Sequence, residues 1–391
     1  MIKKRFFANF AALLSGNVVA QLIQLFGVLF FATVYSTIAF GVLGVSQSLA
    51  VIMAAVLTLQ LHLMVPLAKN KEAAEVLVGD AYVVSVMLFL VLLLGLLLFN
   101  KENLVSVLLA LVLATNNINS SWLIFSSKFN QLSVFFIVRA LLIVFFQYIL
   151  VRAYPQDGLL YGCLLGELLS AFFLFVLGGR RIIRFSGSGF FNALRARRAF
   201  TLYGTIQELV TIAAFYMPLF IFDIKFGAAI SGQYAFASRL IWGPLVVVTS
   251  SLAQVLTKLY AGESGQGSFH LTHRLALRWL VPVMLVFLAA AYIAWKVSLF
   301  WLGDAWAVAS EMLGLSIIWG GVFFLSIPYR VMLRVKGLQK YQLMVDAGVM
   351  LMYGLLLALP GIEAVFLMVS LVAVSVIQNI ALSVIVFRAI K

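Results

Sequence analysis

Charged residues are scarce in this sequence. They account for 10% of its 391 residues, whereas a soluble globular domain carries about a quarter. Hydrophobic residues make up 64% of the chain, and the mean hydropathy is +1.12. Water therefore cannot be the main solvent of this protein, and the sequence predicts that most of it lies in a lipid bilayer.

Cysteine and enzyme motifs are almost absent as well. The single cysteine, Cys163, falls inside an apolar run and forms neither a disulfide framework nor a metal motif. No Walker motif is present, which excludes ATP hydrolysis by a P-loop, and no acidic cluster of the glycosyltransferase kind lies in a polar gap. We therefore expect a protein that is not an enzyme and that holds no cofactor.

Acidic residues are few. The chain has 13 of them and 27 lysines and arginines, which gives a formal net charge of +14. In a soluble protein this excess would suggest nucleic acid as a partner. In a membrane protein, basic residues between the spans set the topology. We favour the second interpretation, so the expected surroundings are membrane lipid and no nucleic acid.

Long apolar runs are what the sequence has in abundance. About 20 apolar residues form one helix that crosses a bilayer. The run 83–99 is almost continuously apolar, which excludes the alternating strands of a transmembrane barrel. The predicted fold class is an all-α polytopic membrane protein with about twelve transmembrane helices in two six-helix bundles. The runs lie at 8–35, 39–66, 77–99, 103–126, 131–152, 158–178, 200–222, 229–257, 276–300, 307–333, 341–360 and 362–387.

Basic residues concentrate in every second gap between these runs. With the N-terminus in the cytoplasm, 21 of them, including Arg330 and Arg334, lie inside, and four, including Lys296, lie outside. This asymmetry predicts that both termini are cytoplasmic. The expected location is the bacterial cytoplasmic (inner) membrane, with multiple passes. Two basic residues, Arg139 and Arg239, fall within spans.

The longest polar stretch divides the chain into two halves with the same in–out sense. We predict an N-terminal six-helix bundle at 1–178, a basic cytoplasmic linker at 179–199 and a C-terminal six-helix bundle at 200–391. The linker sequence FFNALRARR is typical of a short amphipathic helix on the membrane surface. Repeated halves of this kind are common in transporters, whose substrate path runs between them.

Ionisable residues inside the spans are the candidates for function. Each costs about 2.5–3.5 kcal/mol at the bilayer centre on insertion scales, so it normally faces a cavity or a partner. Arg139 and Arg239, one in each half, would suit a cavity that binds an anion, because a guanidinium binds phosphate with two hydrogen bonds. The alternative is an ion pair that fastens helices, for example with Glu167 or Glu208.

Three carboxyls, Glu208, Asp346 and Glu167, are candidates for carrying a coupling ion, either H+ or Na+. Burial raises the pKa of a carboxyl towards neutrality, which favours proton exchange. The alternative is a neutral, hydrogen-bonded carboxyl with a packing role.

A polar stripe in the first run is a further candidate. Asn17, Gln21 and Gln24 are spaced i, i+4 and i+7, so they share one helical face. Such a stripe lines either a wet substrate path or a contact between helices. We include the three residues among the candidate substrate ligands.

Four stretches carry motifs that keep a common order along the chain. The first stretch has a Gly–Ala–Gln span and a turn that ends in F-G, and its sequence is LLSGNVVAQLIQLFGVLFFATVYSTIAFG. The second stretch has a turn that bears Lys and Glu, and its sequence is LMVPLAKNKEAAEVL. The third stretch, GQYAFASRLIWGP, has the pattern G-x-Y-x-x-A-x-R followed by four residues and a Pro. In the fourth, the segment GDAWAVASEML comes before the segment PYRVMLRVKGLQKYQL. Together they resemble the polysaccharide-transporter branch of the MATE-like flippase superfamily, which contains the O-antigen flippases.

The resemblance implies two six-helix bundles around a central cavity and alternating access. Its substrate would be a polyprenyl-diphosphate-linked oligosaccharide, moved to the outer leaflet. Arg239 and Pro244 match the family's R-x-x-x-x-P, where Arg239 would either contact lipid phosphate or hold a kinked helix. The chain departs from the family at Gln60 and His62, which replace a basic–acidic pair. It also departs in the segment GTIQEL, where members of the family commonly have a Phe-Pro pair. Glu208, which lies in this segment, is therefore particular to this chain.

Three functions follow as hypotheses. The first is a flippase for an undecaprenyl-diphosphate-linked O-antigen or similar surface-polysaccharide repeat unit, working beside glycan polymerase machinery. The second is a cation-coupled drug or small-metabolite antiporter of the same superfamily. The third, a membrane polymerase or ligase, is disfavoured because the outer gaps are too short for the large loop such enzymes need.

Overall fold

The computed structural model describes residues 2–99, 103–177, 204–261 and 265–390. This part of the chain forms thirteen α-helices and no strand. The predicted linker at 179–199, with its amphipathic helix, lies outside the described residues. The helices are α1 (Ile2–Phe31), α2 (Thr37–Thr58), α3 (Leu61–Met64), α4 (Lys71–Phe99), α5 (Leu104–Phe125), α6 (Phe129–Leu150), α7 (Gly158–Leu177), α8 (Gly204–Phe226), α9 (Ala228–Tyr260), α10 (Gly265–Leu302), α11 (Ala307–Val335), α12 (Gln339–Ala358) and α13 (Ala364–Ile390).

Hydropathy accounts for the long helices. Eleven helices in the described ranges are long and apolar enough to cross a membrane, and α1 contributes a shorter apolar segment at Ser15–Phe31. Each of the twelve runs that the sequence predicts overlaps one long helix, so the all-α polytopic fold is confirmed. The cytoplasmic placement of the termini stays a prediction.

The second predicted run is wrong in one respect: 39–66 is not a continuous helix. Helix α2 ends at Thr58, because Leu59 and Gln60 adopt left-handed backbone angles, with φ of 42° and 57°. The short α3 and a 3-10 turn at Val65–Leu67 follow, and Pro66 lies in that turn. Pro cannot donate a hydrogen bond inside a helix, which favours the break. The break is invisible to hydropathy because most of its residues are apolar.

The helices group into two compact units. The first contains Met1–Tyr35 and Val42–Ile212, and the second contains Ser36–Gly41 and Ala213–Lys391. The first turn of α2 therefore belongs to the second unit, and α8 is divided between the units after Ile212. In the first unit α6 packs between α1 and α7, and α5 packs on α7.

Helix α11 is the centre of the second unit. It packs against α9, α10 and α13, and most of its residues from Ala309 to Leu333 are buried. The first turn of α2 completes this unit through Phe40, whose ring lies 5.8 Å from that of Phe236 and 5.2 Å from that of Trp306. Aromatic edge-to-face pairs of this kind add to the stability of an apolar core.

Candidate functional site

Three glycines bring α7 unusually close to α6. Gly158, Gly162 and Gly166 are spaced four residues apart and lie on one face of α7. A Cβ atom on Gly162 would lie 2.5 Å from the backbone nitrogen of Gln147, and one on Gly166 would lie 2.6 Å from the Cα atom of Ile143. Small residues at this spacing let membrane helices approach until their backbones touch. The contact fixes the next residue of α7, Glu167, against α6.

Glu167 forms a buried ion pair with Arg139 of α6. The Nε atom of Arg139 donates to Oε1 at 2.9 Å and to Oε2 at 2.8 Å, and Nη2 also donates to Oε1. Asn116 of α5 donates to Oε2 at 3.0 Å. The Glu167 side chain is completely buried, whereas that of Arg139 is 28% exposed. The ion pair, which the sequence left as one of two interpretations for Arg139, is present.

The second unit holds a comparable group, in which Asp346 is a candidate predicted from the sequence and Arg330 is not. Asp346 of α12 accepts a hydrogen bond from Gln378 of α13 at 2.9 Å, and its carboxylate lies 3.7 Å from Nη1 of Arg330 on α11. The Arg330 Nε donates to Ser326 at 3.1 Å. Charge counting assigned Arg330 to a cytoplasmic gap. It lies within the predicted run 307–333, and in α11 its side chain is largely buried, with 15% exposed.

Glu208 is held differently, by a neutral amide. Its Oε2 atom accepts a hydrogen bond of 2.7 Å from Nε2 of Gln60, the residue with left-handed backbone at the end of α2. Gln60 and Glu208, two of the positions at which the sequence departs from the family it resembles, are therefore in contact. Non-glycine residues in this backbone region are strained by about 1–3 kcal/mol and cluster at functional sites.

His62 lies two residues beyond this break and is 8% exposed. Its Nδ1 atom is buried and, within the described part of the chain, has no hydrogen-bond partner. Burial lowers the pKa of His62 to about 4, because the charged imidazolium loses its hydration. His62 is therefore neutral at physiological pH.

Arg239 and the polar stripe of α1 are less buried than Glu167 and Asp346. Arg239 is half-buried on α9, five residues before Pro244, and lies within electrostatic range of Tyr216 on α8. Asn17, Gln21 and Gln24 are half-buried on α1. Gly16 and Gly27, which contact Ser133 and Val144 of α6, lie on the adjacent face of α1. The stripe therefore flanks the α1–α6 contact, and its role as a substrate ligand stays a prediction.

The three candidate coupling carboxyls thus differ in their partners. Glu167 and Asp346 each face an arginine, whereas the hydrogen bond to Glu208 comes from an uncharged side chain. Within the described ranges, no group of three His, Cys, Asp or Glu residues could hold a metal ion. Among the described residues, Glu208 makes no ion pair that the binding of a proton or a monovalent cation would have to break.

Comparison with known proteins identifies the fold. No family model and no curated protein sequence matches the chain. Among solved structures, it is similar to the lipid II flippase MurJ in an inward closed conformation, with 13% identity over 95% of this chain and 86% of that one and a TM-score of 0.76. The chain has the MATE- and MurJ-like fold.

Two further structures with this fold match over more than nine-tenths of their length. One is an inward-facing multidrug resistance MATE family transporter of the MOP superfamily, with 15% identity over 97% of this chain and 93% of that one and a TM-score of 0.65. The other is a MOP superfamily transporter from Pyrococcus furiosus, with 13% identity over 97% and 96% and a TM-score of 0.57. Together with its eleven apolar helices, the MATE- and MurJ-like fold makes this a multi-pass membrane protein.

Proposed function

We propose that this protein is a flippase that moves an undecaprenyl-diphosphate-linked O-antigen, or a similar surface-polysaccharide repeat unit, from the cytoplasmic to the outer leaflet by alternating access. Support comes from the MATE- and MurJ-like fold, from the likeness to a lipid II flippase and from the family-like motifs of the sequence. Sugar and diphosphate cannot cross hydrocarbon alone, because their polar groups would lose hydration without replacement.

The observation that carries the proposal is Arg139, an arginine in a membrane helix whose side chain is partly exposed. Glu167 receives hydrogen bonds from Nε and Nη2, and the side chain keeps 28% of its surface exposed. The Nη1 group makes no hydrogen bond within the described part of the chain. A guanidinium fixed on one edge by a carboxylate presents its other edge in a constant orientation, which suits a phosphate oxygen.

Glu208 is the carboxyl best suited to couple transport to an ion, H+ or Na+. Neutralising Glu167 or Asp346 would leave an arginine without its partner in a low-dielectric interior, which costs several kcal/mol. The amide of Gln60 can stay bonded to Glu208 in either charge state, because Gln offers both a donor and an acceptor. Glu208→Gln should therefore keep the contact with Gln60 and remove the dependence of export on the ion gradient.

The decisive experiment measures lipid-linked oligosaccharide in cells that lack the protein. We expect the intermediate to accumulate on the cytoplasmic face and the wild-type gene to clear it. Arg139→Gln combined with Glu167→Gln removes both charges together, so no unpaired charge is buried, and should reduce export about tenfold. Arg152→Gln changes an exposed arginine outside the spans and serves as the control. Full export by the double variant at normal membrane levels would refute the anion role of Arg139.

The antiporter hypothesis remains the second candidate, because MATE transporters share the fold. Its specific support is Glu208, a carboxyl in a membrane helix bonded to a neutral group, which suits a cationic substrate as well as a coupling ion. Changed drug susceptibility with unaltered surface polysaccharide in the deletion strain would favour it over the flippase.

A further inference from the structure

A groove of about 370 Å³ lies between α10, α11 and α13, entirely within the second unit. Its lining is mostly aliphatic and aromatic, and none of the residues discussed above contributes to it. The lining residues on which the argument depends are Leu288, Trp295, Glu311, Gly314 and Ile318.

The groove is polar at one end and apolar at the other. Glu311 lies four residues from the start of α11, and Ile318 lies seven residues deeper, about 10 Å at 1.5 Å per residue. Along α10, Trp295 lies seven residues from the end of the helix, and Leu288 lies a further seven residues inside. The polar end is thus next to the helix termini, at the face that the charge pattern of the sequence assigns to the outside.

Two polar groups at this end lack a protein partner. Glu311 is exposed in the groove and makes no ion pair or hydrogen bond within the described part of the chain. The Nε1 atom of Trp295 is buried and has no hydrogen-bond acceptor among the described residues. Beside them, the ammonium of Lys296 lies 4.3 Å from the centre of the Trp295 ring. The polar end of the groove therefore has a carboxylate in its lining and a cation over the ring of a lining tryptophan.

We propose that this groove binds a phospholipid of the outer leaflet whose headgroup carries a primary amine, namely a phosphoethanolamine lipid. The Glu311 carboxylate accepts from the ammonium of the headgroup, while Lys296 binds its phosphate. One acyl chain runs along Leu288, Gly314 and Ile318. Apolar burial gives little preference among lipids, because their tails already lie in hydrocarbon. Selection comes from the headgroup, because a phosphoglycerol lipid has no ammonium to pair with the Glu311 carboxylate.

Native mass spectrometry of the full-length protein tests this, with phosphoethanolamine, phosphocholine and phosphoglycerol lipids of identical acyl chains. Phosphocholine has the same charges but no N–H to donate. We expect the phosphoethanolamine lipid to bind about tenfold more tightly than the other two. Glu311→Gln keeps the shape of the side chain and should abolish this preference. Glu363→Gln, an exposed carboxylate just before α13, should retain it.

A second variant tests the groove itself. A Cβ atom on Gly314 would meet its nearest neighbour, the Ala291 carbonyl oxygen, at 3.4 Å, so the backbone tolerates a side chain there. Gly314→Leu places that side chain where the acyl chain should lie, and binding of all three lipids should fall. Equal binding of the three lipids by the wild type would overturn the proposal. So would an unchanged preference in Glu311→Gln, or unchanged binding in a Gly314→Leu protein whose thermal unfolding matches the wild type.

Discussion

Arg139 and Glu167 show how a charge is tolerated inside a membrane helix bundle. The carboxylate is completely buried, yet three N–H groups from Arg139 and Asn116 point at it. The sequence could identify both residues as foreign to lipid, and it offered this pair as one of two interpretations. It could not choose between them, because choosing requires the distance between α6 and α7.

Removing one partner of this pair should destabilise the protein strongly. Glu167→Gln leaves Arg139 charged and without a counter-ion, and we expect a loss of about 3–5 kcal/mol in unfolding free energy. Arg139→Gln with Glu167→Gln should lose clearly less, because no buried charge is left unpaired. Denaturant unfolding in detergent measures both. Additive losses in the double variant would contradict the role of Glu167 as the counter-ion of Arg139.

His62 should make stability depend on pH. Burial lowers its pKa from 6.5 to about 4 in the folded protein. The unfolded chain therefore binds more protons between these values, so stability is present above pH 6.5 and is lost as the pH falls towards 4. From the cited pKa values, we expect unfolding free energy to be about 2 kcal/mol lower at pH 5 than at pH 7.5 as the contribution of this residue.

The control for His62 is His270, which is exposed. His62→Gln should remove most of the difference in unfolding free energy between pH 5 and pH 7.5, while His270→Gln should leave it in place. The same pH dependence in His62→Gln as in the wild type would show that other groups cause it.

At the scale of helices, the sequence predicted where spans lie better than how they end or meet. Hydropathy located every long helix because apolar length is itself the physical requirement for spanning. It missed the end of α2, where Leu59 and Gln60 adopt left-handed backbone without any glycine or polar cluster to signal it. It also counted Arg330 among the cytoplasmic charges, although the run 307–333 contains this residue, because a charge count at the edge of a span does not reveal whether a side chain is buried.

The α6–α7 contact should be sensitive to a single methyl group. Gly162→Ala places a Cβ atom where only 2.5 Å separates it from the Gln147 nitrogen, so the helices must move apart, at a cost of about 1–3 kcal/mol. Gly95→Ala in α4 meets nothing within 4 Å and should be neutral or slightly stabilising. Thermal unfolding of the two variants in the same detergent compares them, and equal melting temperatures would argue against backbone contact at Gly162.

At the scale of the whole molecule, the orientation in the membrane is the prediction on which several others depend. It can be tested with single cysteines, because Cys163 is buried and can be replaced by Ser. A membrane-impermeant maleimide should label Glu363→Cys in intact cells and should label Lys336→Cys only after permeabilisation. Both native side chains are exposed near helix ends. The reverse labelling pattern would invert the topology and would move the lipid groove to the inner leaflet.

The first turn of α2 has a consequence for biosynthesis. Phe40 emerges early from the ribosome, yet the rings against which it packs, Phe236 and Trp306, are translated only in the second half of the chain. At about 5–20 residues per second, this turn waits on the order of ten seconds or longer for its neighbours. During that interval the second unit, to which this turn belongs, is incomplete. Two fragments produced from separate genes should therefore be stable only when made together, each completing the other.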